Sequence, residues 1–125
     1  MDKLELVWET FEFHTLNLSD LEVQHLNDIK QYKSLKKTLN PSQKYKTYVK
    51  KKLVKNFNKL IYEYNKYIFC IDDIIKIHHY RELNGIRICP TRKIPLSQMY
   101  ELKNVTATQR EQVKAWKKEV LEVLN

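Results

Sequence analysis

Glycine is nearly absent: the 125 residues contain one, Gly85, together with three prolines and two cysteines. A single glycine rules out the glycine-rich loops whose backbone amides wrap a phosphate, and it leaves no glycine turn to build an oxyanion hole beside a nucleophile. So little Gly and Pro also excludes collagen-like, linker-rich and low-complexity chains. Cys70 and Cys89 stand 19 residues apart without a close-spaced partner, which predicts reduced thiols that neither bridge nor bind metal. Long apolar runs are missing too. The longest strictly apolar one, Ile68-Phe69-Cys70-Ile71, is far below the roughly 20 residues of a membrane span, and the acidic N-terminus lacks the basic stretch of a signal peptide. The chain is therefore expected to make no membrane contact and not to be secreted by a signal peptide. What remains, with 42% apolar residues, suits one domain around one core, residues 1–125.

Charge is distributed in blocks. An acidic N-terminal segment, 1–29, carries one lysine against seven acids, for a net −6. The block 30–66 carries twelve lysines against Glu63 alone, for +11, and residues 67–125 add +3. No arginine occurs in the basic block. Lysine is a hydrated point charge suited to delocalised attraction, whereas arginine offers the planar fork that reads guanine or phosphate bidentately. Sequence-specific base reading is thus disfavoured. The acidic segment can also fold back and neutralise the lysines, leaving a weaker external field.

The periodicities predict an α+β domain, mostly helical. Ser19-Asp20-Leu21-Glu22 has the form of a capping box, and a helix from about 20 to 39 follows, with Leu21, Leu26, Ile29, Leu35 and Leu39 along it. Asn40-Pro41 ends it. A second helix begins near Ser42, its stripe formed by Tyr45, Val49, Leu53, Phe57, Leu60, Ile61, Tyr64 and Ile68. The pair makes an antiparallel helical hairpin. Beyond Tyr64 the β-branched run 74–80, then Asn84-Gly85, then Ile86-Arg87-Ile88-Cys89 reads as a small β-hairpin, the rival being a second helix that continues through His79. The alternation in Leu4–Phe13 suggests a further strand. A C-terminal helix is expected from Thr106, with Gln109 closing a second capping box and Val113, Trp116 and Val120 on its apolar side.

The chemistry-bearing residues do not assemble into a catalytic or metal motif. His78 and His79 are neighbours and diverge in either a strand or a helix, and the short ligand spacings of structural zinc sites are missing. Asp72-Asp73 suits a cap or turn better than a metal-binding carboxylate pair. No cofactor and no enzymatic activity are expected.

The basic second helix is the candidate for ligand contact. Lys44, Lys51, Lys55 and Lys59 fall away from its apolar stripe, and Tyr48 stands among them as a stacking candidate, a pattern able to track a nucleic-acid backbone. Tyr45 falls on the stripe and is expected in the core.

Arg92-Lys93-Ile94-Pro95-Leu96, the stretch Tyr100–Arg110 and Trp116–Val123 carry a further pattern: a basic residue and leucines, then a Thr-x-x-Gln helix start at Thr106 and Gln109, then an aromatic-basic pair at Trp116 and Lys117. This segment resembles the closing segment of bacteriophage tail-assembly chaperones and tail-fibre assembly proteins. Gln98-Met99-Tyr100 stands where that family has a Thr-Asp-Trp turn, Lys117 replaces an arginine, and Leu121 replaces a basic residue. The resemblance implies a non-enzymatic viral protein in the virion or host cytoplasm. It would bind another virion or assembly protein through Val113, Trp116, Lys117 and Val120, with self-association compatible. The competing reading is a small basic domain that binds a DNA or RNA backbone through the Lys-rich helix.

Overall fold

The computed structural model describes residues 3–85 and 95–125. They form three helices, α1 (Lys3–Lys37), α2 (Gln43–Leu83) and α3 (Leu96–Val123), and no strand occurs among the described residues. The expected α+β class is therefore corrected to all-α.

The helix α1 is 35 residues long and absorbs both the strand expected over Leu4–Phe13 and the helix start expected at Ser19. No glycine or proline interrupts the chain before Pro41, so nothing breaks the helix. The apparent alternation arose because α1 carries apolar residues on two faces. Leu4, Trp8, Phe11 and Leu18 are buried, while Leu6, Phe13 and Leu16 are exposed. Ser19 caps nothing: its hydroxyl donates back to the Thr15 carbonyl from mid-helix.

The expected stop at Asn40-Pro41 is found. The helix α1 ends at Lys37, Asn40 takes a left-handed φ of 53°, and Ser42 caps α2 by accepting the Tyr45 amide at 3.1 Å. The helix α2 then runs for 41 residues through the segment expected to form the first hairpin strand. Ile71, Ile74 and Ile75 continue the three-and-four spacing of its buried stripe, and burial against neighbouring helices outweighs their β preference. Asn84-Gly85 terminates this helix instead of turning a hairpin: the Asn84 amide donates to the Tyr80 carbonyl, and Gly85 has φ 65°, the left-handed conformation usual just past a helix end. The second expected strand, Ile86–Cys89, lies outside the described residues.

The helix α3 begins at Leu96, ten residues before Thr106. Thr106 is buried in its interior, where the hydroxyl donates to the Leu102 carbonyl at 2.7 Å, so it is not a cap.

The helices alternate in direction, with α2 in the middle. Phe11 stacks on Tyr67 with ring centroids 4.9 Å apart and Asn56 donates to Asp28 at 3.0 Å, which sets α1 antiparallel to α2. Lys103 pairs with Asp72 at 2.6 Å and Arg110 donates to Asn65 at 2.9 Å, which sets α3 antiparallel to α2. The helices α1 and α3 meet where Tyr32 packs edge-on against Trp116 at 6.1 Å. The core runs along α2 through Val49, Leu53, Phe57, Leu60, Ile71 and Ile74.

Candidate interaction faces

The expected partner-binding stripe on α3 splits between the core and its edge. Val113 and Val120 are 2% and 0% exposed and belong to the hydrophobic core, so in this fold they hold α3 to the bundle and do not meet solvent. Trp116 is partly buried against the same core, between Tyr32 and the Lys33 ammonium 5.8 Å above its ring, and Lys117 is half-buried one residue on. An aromatic residue placed this way acts mainly as an internal tie.

The lysines of α2 have the opposite disposition. Lys44, Lys51, Lys55 and Lys59 are exposed and take part in no ion pair among the described residues. Tyr48 is 62% exposed beside them, and Tyr45, expected in the core, is exposed as well. The acidic N-terminal segment makes no ion pair with these four lysines among the described residues, although Asp28 lies near Lys52. Antiparallel pairing sets the lysines near the start of α2 beside the end of α1, which carries Lys30, Lys33, Lys36 and Lys37, while the acids of residues 5–12 lie toward the far end of α2. One end of the bundle is therefore strongly basic.

The basic surface has a shape that the sequence did not disclose. An open groove of about 760 Å³ runs along α2, lined by that helix except for Leu121 near the end of α3. Lys50, Lys51, Lys55 and Lys59 edge it, and Val54, Tyr62 and Leu121 supply apolar surface within it. Leu121 comes into this groove from α3. Its position against residues near Val54 depends on the α2–α3 register, which no local pattern encodes.

A second face lies on α1, opposite its buried stripe. Leu6, Glu9, Phe13, Leu16, Asp20 and Val23 follow one another at spacings of three and four, and all are exposed, Leu16 to 70%. Glu5 and Glu12 flank the stripe, and no lysine or arginine occurs from Leu4 to Ile29.

The polar groups inside the bundle look structural. His14 Nδ1 pairs with the Glu63 carboxylate between α1 and α2, and both side chains are largely buried. Burial pushes the Cys70 thiol up, reinforced by the Asp73 charge, which makes it a poor nucleophile at neutral pH. Cys89 lies outside the described residues. No group of three His, Cys, Asp or Glu side chains suited to a metal occurs among the described residues. His78 is half-buried, whereas His79 is exposed and hydrogen-bonds the Tyr100 hydroxyl at 2.7 Å.

Asp28 and His25 give the bundle a pH dependence with opposing signs. Burial raises the Asp28 carboxyl above its ordinary value, against the opposing Asn56 hydrogen bond and the charges of Lys52 and His25. Burial lowers His25, against the attraction of Asp28. A raised carboxyl is costly to ionise in the fold; the penalty is present above the raised value and is relieved as pH falls through it. A lowered imidazole favours the neutral ring, so its contribution is lost as pH falls below the ordinary 6.5. Asp28→Asn is therefore expected to raise the melting temperature at neutral pH, with the advantage shrinking toward about pH 4. Thermal melts of both proteins across that range check this, and a lower melting temperature for the variant at neutral pH contradicts it.

In comparisons with known proteins, no family model matches the chain, and no match was found among curated proteins or solved structures.

Proposed function

We propose that the protein is a non-enzymatic assembly component of bacteriophage type, acting through protein–protein contacts made by the groove along α2. The observation that carries this reading is the apolar surface of that groove, supplied by Val54, Tyr62 and Leu121 between lysines. A partner that presents apolar side chains flanked by acids uses both features, whereas a phosphate backbone uses only the lysines. Exposed apolar side chains on α1, which the bundle itself does not bury, support the same class of function. The viral setting, with its virion or host-cytoplasm location, rests on the C-terminal resemblance alone. The contact surface moves from the α3 stripe to the groove because Val113 and Val120 are inside the core.

The second reading, backbone binding to DNA or RNA through Lys44, Tyr48, Lys51, Lys55 and Lys59, is favoured by the lack of ion pairs on those lysines among the described residues and by the exposure of Tyr48. Fluorescence anisotropy separates the two. An acidic amphipathic helical peptide of leucine and glutamate is expected to bind at about 0.15 M salt, and to bind at least about tenfold more weakly to Leu121→Ser, while single- and double-stranded oligonucleotides bind weakly and are released by salt. Oligonucleotide binding that persists at that salt and is indifferent to Leu121→Ser, with no peptide binding, overturns the assembly reading.

A further inference from the structure

The partner chemistry that the groove requires is present on the protein itself. The groove offers lysines around an apolar strip, and the outer face of α1 offers carboxylates around an apolar strip, with Leu6, Phe13 and Leu16 more than half exposed. The groove extends from Thr47 to Tyr62, about 22 Å of helix, and the α1 stripe extends from Leu6 to Val23, about 25 Å, at a rise of 1.5 Å per residue. The two surfaces share no residue, and no α1 residue lines the groove, so one molecule can present both at once. The groove runs along α2, with Leu121 of α3 beside it, so a helix laid parallel to α2 can meet its lysines and its apolar residues together.

Resting on the assembly reading above, we propose that the groove's partner is a second copy of this chain: the outer face of α1 in one copy lies in the groove along α2 of the other. Leu6, Phe13 and Leu16 cover Val54, Tyr62 and Leu121, while Glu9 and Asp20 approach the row formed by Lys51, Lys55 and Lys59. The match is between unlike surfaces, so each contact leaves a complementary surface available on both copies. These surfaces either close reciprocally into a dimer or extend the assembly. Opposite charge on the two faces sets their pairing and opposes face-to-face or groove-to-groove association.

Sedimentation velocity on the full chain tests this with two variants. The groove variant carries Lys51→Glu and Lys55→Glu, and the face variant carries Glu9→Lys and Asp20→Lys; all four positions are exposed, and circular dichroism confirms that the helices persist. Wild type is expected to self-associate with rising concentration at about 50 mM salt and to dissociate by about 0.5 M. Each variant alone is expected to lose at least about tenfold in association. An equimolar mixture of the two variants is expected to recover association, because the intact α1 face of the groove variant fits the intact groove of the face variant and the two reversed surfaces are again opposite in charge. A wild type that stays monomeric at low salt yet binds the acidic peptide overturns the second-copy proposal and leaves the assembly reading standing. Binding neither the peptide nor itself overturns both. Variants that fail alone and also fail when mixed overturn the pairing of these two faces, and a complex that sediments only with bound nucleic acid does the same.

Discussion

Replacing Phe57 with alanine is expected to cost about 3–5 kcal/mol of folding stability, the range for removing a fully buried aromatic ring from a packed core. Phe57 is 0% exposed in the middle of α2 and packs edge-on against His25 of α1, with ring centroids 5.4 Å apart. The surroundings cannot collapse readily into the space, because α2 is packed from both α1 and α3 and the side chains around it are equally buried. A domain with about 5–15 kcal/mol of total stability has little left after such a loss. Phe69→Ala, on the same helix but exposed, provides the control and is expected to change stability by less than about 0.5 kcal/mol. Urea unfolding followed by circular dichroism measures both. Equal effects of the two substitutions would mean that the two positions do not differ in burial as described.

Removing residues 105–125 is expected to abolish cooperative unfolding. The deletion takes away Thr106, Val113, Val120 and Leu124, all buried, together with the Trp116 ring that packs on Tyr32. It also uncovers apolar surface along α2, which the remaining helical hairpin has nothing to cover. The stub of α3 left behind, Leu96–Asn104, is too short to hold helical structure without its packing. A capping box at Thr106 and Gln109 implies a self-contained terminal helix that a folded domain can lose. The structure argues the other way, because α3 starts at Leu96 and its stripe faces inward. Calorimetry on the truncated protein decides between them: a broad, non-cooperative melt is expected, and a sharp transition near that of the full chain contradicts the bundle's dependence on α3.

What could be read in the sequence was the part governed by local rules. The Asn40-Pro41 break, the Ser42 cap and the antiparallel first pair of helices all follow from residues within a turn of one another. The errors came where a local signal had a competing tertiary use. Ser19 and Thr106 have the right neighbours for capping boxes, but a box forms only where a helix begins, and nothing stops the helix before either residue. The β-branched run near Ile74 has strand propensity, which burial against the neighbouring helices overrides. Asn84-Gly85 has the composition of a hairpin turn, but a helix precedes it, and there it ends α2.

The candidate faces divide in the same way. The exposed lysines 44, 51, 55 and 59 were legible from their angular distance to the apolar stripe of α2. The groove was not, because Leu121 reaches it from a helix more than fifty residues away. The outer stripe of α1 was present in the sequence as an apolar series out of phase with the core. It mimics β alternation because two helical stripes superposed on one segment approach a period of two. Once the core stripe is subtracted, Leu6, Phe13 and Leu16 need another explanation, and their acidic flanks suggest a basic partner surface.

Zero-length carbodiimide cross-linking of an equal mixture of ¹⁵N-labelled and unlabelled protein tests the central claim, that charge-complementary helical faces drive assembly. The reagent joins a lysine to a carboxylate only when the two are in contact. Links between Glu9 or Asp20 and Lys51, Lys55 or Lys59 are expected to appear in mixed-isotope form, which only contact between copies produces. They are expected to vanish at about 0.5 M salt, where the screening length falls to a few ångströms. If the only links recovered are within one copy, such as Lys103 to Asp72, or if the links between copies leave out both faces, the account is contradicted.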